Sequence, residues 1–293
     1  MNKLLFVVIS VLLAGCSSKT NNPAIAPAFD LSCNLNEGYT SPVAAERHDA
    51  QTTFKATAIL IHGKNGAPSR THIQSLTSDL SNDGFDVVVP QMPWSGINWN
   101  GTLCNGIEQM NNLVDAEKTA GNSVVLIGHS LAGPIVLAYE ALENTTASDG
   151  LLVLAPGHLV PQSSVLASEH AASIAKAESL IAQDLGAVES TFETYNGGVS
   201  VTLTTTPEIY LSYHSDSQFP NIKTSLPIVD VPILWLAGID DPLTSVVENT
   251  FGITDKIPAG ENNIYKVVAG DHFTVVDSVL AELNPWYDTI STQ

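Results

Sequence analysis

Basic residues are scarce in this chain of 293, where 11 lysines and arginines stand against 30 acidic residues for a formal charge of −19 at pH 7. A surface so charged repels phosphate backbones and anionic membranes, and nucleic acid is excluded as an expected partner. Cysteine is also scarce, at three residues. No His-x-x-x-His or clustered Cys/His spacing occurs, and no metal site is expected. The stretch His62-Gly63-Lys64-Asn65-Gly66 has glycines beside a lysine but lacks the Gly-Lys-Ser/Thr ending that cradles phosphates. No cofactor is expected. No internal repeat, heptad run or low-complexity core interrupts the chain. What is present, 44% hydrophobic residues with 20 glycines and 16 prolines, suits an ordered globular domain with a sizeable core.

The chain opens with Lys3 and an apolar run over 4–13, too short to span a bilayer and of the length of a secretory signal. The run ends in Leu13-Ala14-Gly15-Cys16, which resembles the lipobox of bacterial lipoproteins. That resemblance implies cleavage of residues 1–15, lipidation of Cys16 by fatty acyl chains such as palmitate, and a membrane anchor. Ser17 in place of Asp leans toward the outer membrane of the cell envelope. Residues 16–30 then read as lipidated Cys and polar, Pro-bearing tether, and 31–293 as one domain. In an oxidising compartment Cys33 and Cys104 form either a disulfide or two buried thiols.

From residue 56 short apolar runs alternate with longer amphipathic ones, the pattern of a mostly parallel, doubly wound α/β sheet with helices on both faces. Strands are expected at 56–62, 85–90, 123–128, 151–155, 231–237 and 264–269, each an almost uninterrupted apolar core of the kind buried on both faces. Helices are expected at 70–82, 106–120, 131–144 and 274–283. The interval 157–230 is far longer than a crossover requires and reads as an inserted cap. Its first half is helix-like over 163–185, and its second half, around 197–203, suggests a hairpin or irregular cover.

Ser130 stands in Gly128-His129-Ser130-Leu131-Ala132-Gly133, directly after a buried strand and before a helical run. It therefore occupies a tight strand-to-helix turn in which only small neighbours fit. The amide of Leu131 opens that helix, where N–H groups and the dipole favour a developing oxyanion. A serine nucleophile needs a base, and the base needs an orienting carboxylate. Downstream of Ser130, His272 alone among the histidines follows a late strand in a turn, Gly270-Asp271-His272-Phe273. His170 is expected on the surface of a cap helix, His158 and His214 near the pocket, His48 before the sheet and His129 pointing away. Asp240 and Asp241, at the end of the strand before, compete for the role of acid. A second oxyanion donor is expected from the amide of Lys64, where Gly63 lets the backbone approach the substrate. His62, Trp94 and Trp99 are candidates for the pocket wall, with core packing the alternative for the tryptophans.

His62-Gly63, the Ser130 turn, Gly-x-x-Asp241 and Gly-Asp-His272 occur in the order and rough spacing of the α/β-hydrolase superfamily, which the chain resembles from about residue 56 to its end. Ala132 replaces the last glycine of Gly-x-Ser-x-Gly, a mild departure. The resemblance implies a catalytic triad of Ser130, Asp241 and His272, since in such families the acid stands three residues after the strand-ending glycine. It further implies a serine hydrolase of carboxylic esters, small-molecule or lipid-like, working through an acyl-enzyme. An amidase, thioesterase or lipase would use the same triad, and a catalytically silent fold for envelope binding is the rival from another class.

Overall fold

The computed structural model describes residues 33, 44–158, 164–196 and 199–292. Cys16, the signal segment and the tether lie outside them. Seven strands form one sheet: β1 (Ala45–His48), β2 (Ala56–Ile61), β3 (Phe85–Pro90), β4 (Val124–His129), β5 (Gly150–Leu154), β8 (Ile233–Gly238) and β9 (Ile264–Val268), in the order β1-β3-β2-β4-β5-β8-β9. β1 runs antiparallel to β3, and all other pairs are parallel. Strands β2, β4, β5 and β8 are buried at every position, which their apolar runs require.

Alternate residues of each strand feed two cores. Ala58 and Leu60 of β2, with Val125 and Ile127 of β4, pack on one face beneath α1 (Thr71–Asn82) and α9 (Val279–Ile290). Ile59, Ile61 and Leu126 face the other way, toward α2 (Leu103–Thr119) and α3 (Ala132–Glu140). Each fully buried aliphatic side chain of this kind contributes about 1.5–3 kcal/mol.

Described residues of the interval 157–230, among them Ala177, Phe192, Leu203 and Tyr210, join the core of the second face. The interval comprises α4 (Ser164–Ile181), the hairpin of β6 (Ser190–Asn196) and β7 (Val199–Thr205), α5 (Pro207–His214) and the single turn α6 (Ile222–Ser225). Phe192 stacks on Tyr210 at 4.6 Å, and Tyr210 on His214 at 4.0 Å, so an aromatic column fastens the hairpin to α5. After β8 come the short turns α7 (Pro242–Val246) and α8 (Ile253–Lys256).

Several boundaries differ from expectation for local reasons. α2 begins at Leu103 rather than 106, because Thr102 and Asn105 close a capping box. The expected helix at 274–283 is a 3-10 turn, Thr274–Ser278, leading into α9. His48 is the last residue of an edge strand paired with Val87, not a residue ahead of the sheet. Cys33 and Cys104 are joined as a disulfide with Cα atoms 5.2 Å apart, which ties Cys33 to the first turn of α2.

Candidate active site

Ser130 ends the line of β4 and sits one residue before the Leu131 that caps α3, with φ at 57°. A side chain in this left-handed region costs on the order of 1 kcal/mol, and the surrounding structure has to hold it there. It does so through the Ser130 amide, which donates to Leu154 O at 3.0 Å, and the Ser130 carbonyl, which accepts from Gly133 N and Gly157 N at 2.9 Å each. Asn65, Ala155 and His158 also have positive φ, at 54°, 41° and 55°. These residues lie in the loops after β2 and β5, so four of the five non-glycine residues with positive φ among those described stand at the carboxyl ends of the central strands, where open α/β sheets bind ligands, and the fifth, Asp184, follows α4.

Three strand ends supply the polar chain. His272 Nε2 lies 2.8 Å from Ser130 Oγ, and His272 Nδ1 lies 2.7 Å from Asp241 Oδ2. A carboxylate accepts, so the proton rests on Nδ1 and the Nε2 lone pair faces the serine hydroxyl. Asp241 is 2% exposed at its side chain and His272 19%. The second oxygen of Asp241 accepts the Leu243 amide at 2.9 Å, so the residue is both the N-cap of α7 and the partner of His272. Asp240 is exposed and reaches the site only through its amide, which donates to Gly270 O at 3.0 Å. The loop bearing His272 is held by Asp271, whose Oδ1 accepts the amides of Phe273 and Thr274 at 2.9 and 2.8 Å. Those bonds, that of Thr274 first, hold the Asp271 carboxyl below its ordinary pKa.

The remaining sequence candidates divide. Gly63 abuts Ser130 closely: a Cβ placed on it would lie 2.7 Å from Ser130 Cβ and 3.1 Å from Oγ. The Gly63-Lys64 loop is thereby laid beside the serine, and Leu131 follows the serine at the start of α3. His62, Trp94 and Trp99 do not line the cavity over Ser130, contrary to their expected place in its wall. All three are buried, and they brace the loop from behind. Trp94 Nε1 donates to His62 O at 3.0 Å, Trp99 Nε1 donates to Asn65 Oδ1 at 2.9 Å, and His62 Nδ1 donates to Gly63 O at 2.9 Å. Burial pushes the His62 pKa down to about 4.

Other histidines are also placed differently. His129 does not turn away from the serine; its Nε2 donates to the backbone carbonyl of His272 at 2.8 Å, and its ring lies 5.3 Å from that of His272. Burial first, and the nearby His272 next, push its pKa down to about 3. His170 is buried rather than on the surface, because β6 folds over α4 and brings Thr194 and Tyr195 to its ring. His158 and His214 pack with it beneath the cap, outside the cavity wall, and burial holds both well below the ordinary histidine pKa.

The cavity over Ser130 measures about 340 Å³. Gly63, Lys64, Asn65 and Gly66 line one side, and Arg70, Thr71 and His72 at the start of α1 line the next. His129, Ser130, His272 and Phe273 make the floor and far wall, and Asn196 of the cap hairpin hangs over it. One contributor escaped the sequence reading. Gly157, after β5, would place a Cβ 2.9 Å from Ser130 Oγ and 3.4 Å from His272 Cε1. Its only sequence signal is a glycine three residues past a strand end.

No family model matches the chain, and no curated relative is found. Solved structures do match. Est1E from Butyrivibrio proteoclasticus with ferulic acid bound aligns with a TM-score of 0.55 at 16% identity, over 83% of this chain and 96% of that one. A monoacylglycerol lipase from Paleococcus ferrophilus aligns at 0.60 and 14% identity, over 85% and 99%. MenH from S. aureus aligns at 0.58 and 15% identity, over 84% and 98%. A parallel sheet with a single antiparallel edge, flanked by helices and matched along nearly the whole of these chains, is an α/β-hydrolase fold. At such identities the likeness concerns the fold.

Proposed function

We propose that the protein is a serine hydrolase that cleaves carboxylic esters through an acyl-enzyme on Ser130. The observation that carries this reading is the hydrogen-bonded chain from Asp241 through His272 to Ser130, with the serine at φ 57° in the turn between β4 and α3. As Ser130 Oγ attacks the ester carbonyl, its proton passes to His272 Nε2. Asp241, buried against Nδ1, stabilises the imidazolium that forms. The carbonyl oxygen, now negative, is received by the amides of Leu131 and Lys64. Collapse of the tetrahedral intermediate expels the alcohol, which takes the proton from Nε2. Water, deprotonated by the same imidazole, then releases the acid and restores Ser130. Esterase and lipase structures among the fold neighbours are consistent with this chemistry.

The reading is checked by p-nitrophenyl ester hydrolysis, from acetate to palmitate, and by a fluorophosphonate probe. Ser130→Ala is expected to lose about 10⁴-fold or more in kcat and to abolish labelling. Labelling that persists in the variant would sink the assignment. We also propose export and lipid anchoring at Cys16, on the pattern Leu13-Ala14-Gly15-Cys16. Metabolic labelling with a palmitate analogue is expected to mark the wild type and not Cys16→Ala.

A further inference from the structure

In a molecule with a formal charge of −19, the cavity over Ser130 carries the opposite sign. Among its described lining residues none is Asp or Glu, while Lys64 and Arg70 both contribute. The Lys64 ammonium is spent on the cap, where it donates to Tyr195 O and, at 3.3 Å, to Thr194 Oγ1. Arg70 is placed differently. The chain has two arginines, and the other, Arg47, pairs with Glu117 at 2.7 Å. Lys55, Lys118 and Lys266 likewise pair with carboxylates, at 2.7, 2.6 and 2.6 Å. Arg70 has no carboxylate partner among the described residues. One nitrogen, Nη2, donates to Asn65 O at 2.9 Å, which fixes the guanidinium beside the Gly63-Lys64 loop. A guanidinium has five N–H donors in a planar fork, so most of that donor set is left for a bound group.

The rest of the wall agrees in character. Asn65, Thr71, His72 and Asn196 are polar, and Phe273 is the one large hydrocarbon side chain among the lining residues. A long acyl chain would find little to bury against here. The field of an acidic protein repels anionic ligands generally, so a cation kept without a carboxylate partner in the site is the feature that reverses it locally.

From this we infer, resting on the reading of Ser130 as the nucleophile, that the substrate is an ester carrying its own carboxylate or comparable anion, which Arg70 grips while Ser130 attacks. A bidentate carboxylate contact would fix both orientation and charge preference. Arg70 is then a specificity-determining residue.

The experiment compares kcat/KM for matched anionic and neutral esters on the same enzyme. For the acyl side, the pair is the mono-p-nitrophenyl ester of adipic acid and its terminal amide. For the alcohol side, the pair is 4-acetoxybenzoate and 4-acetoxybenzamide. The wild type is expected to favour the anion about tenfold or more in at least one pair, with the ratio falling as salt is added. Arg70→Ala should bring that ratio near one, and Arg70→Glu below one. Because each ratio is internal to one enzyme, a general loss of activity through a disturbed loop does not mimic the result. The salt series on the wild type needs no variant. A wild-type ratio at or below one in both pairs overturns the inference, as does a preference that survives Arg70→Ala. Failure of the underlying reading looks different: then no ester, neutral or anionic, is hydrolysed in a manner that depends on Ser130.

Discussion

At the scale of the residue, space around Ser130 Oγ is rationed by glycines in the loops that follow other strands. Gly157→Ala would set a methyl 2.9 Å from that oxygen, closer than a carbon–oxygen contact allows and nearly as close as His272 Nε2 at 2.8 Å. The hydroxyl is the movable partner, so the fold should survive while the serine swings off its base. We expect kcat to drop on the order of 100-fold with an unchanged thermal melt, measured on a p-nitrophenyl ester. The two adjacent aspartates offer a second comparison. Asp241→Ala removes the buried acceptor of His272 and of the Leu243 amide and is expected to cost roughly 10⁴-fold in kcat, whereas Asp240→Ala alters an exposed side chain and should stay within a few-fold. Equal losses in the two would reassign the acid. Ser130 and His272 stand out in the sequence because each follows an apolar strand in a turn, whereas the strand end left Asp240 and Asp241 in competition and only the family resemblance pointed to Asp241. Gly157 and the inward ring of His129 could not, since their roles depend on β5 and the His272 loop lying beside β4, which no local pattern encodes.

Elements tell a parallel story. The central strands were legible because strands buried on both faces must be apolar throughout. β1, with the sequence AERH and an intermediate-to-exposed surface, has no such signature, and only its pairing with β3 makes it a strand. His170 is buried against expectation for a related reason: α4 is Ala-rich and polar by composition, and its buried side is created by a hairpin that follows it in the chain. The disulfide between Cys33 and Cys104 acts at this scale by closing a loop with a sequence separation of 71. Loop-closure entropy for such a span amounts to about 4 kcal/mol as an upper figure. A double Cys33→Ser, Cys104→Ser variant is expected to lose about 2–4 kcal/mol in urea unfolding, with no change in the ratio of kcat values between esters. An unchanged urea midpoint would show that the crosslink contributes nothing to the native state.

For the whole molecule, the buried histidines set a limit on the acid side. His62 and His129 have pKa values pushed down to about 4 and about 3, and His158 and His214 lie well below the ordinary 6.5. In the unfolded chain each would take up a proton near 6.5, while the folded chain refuses it. The unfolded state therefore binds more protons below that pH, and stability is full above about 6.5 and lost as pH falls toward the folded values. Each such histidine contributes a slope of about 1.4 kcal/mol per pH unit in that window. Urea midpoints measured from pH 7.5 to 5 should be flat at first and then fall steeply. A flat profile down to pH 5 would mean that these rings are not buried as neutral imidazoles.

The crosslink between Cys33 and Cys104 also decides how the molecule bears mechanical load. A pull arriving at Cys33 crosses the two sulfurs and enters the first turn of α2, so the shortest covalent path leaves out residues 34–103. Within that sheltered segment lie the edge strand β1, the strand β2 and the Gly63-Lys64 loop. Load entering at Cys33 would therefore bypass the β1 edge of the sheet and the wall beside Ser130.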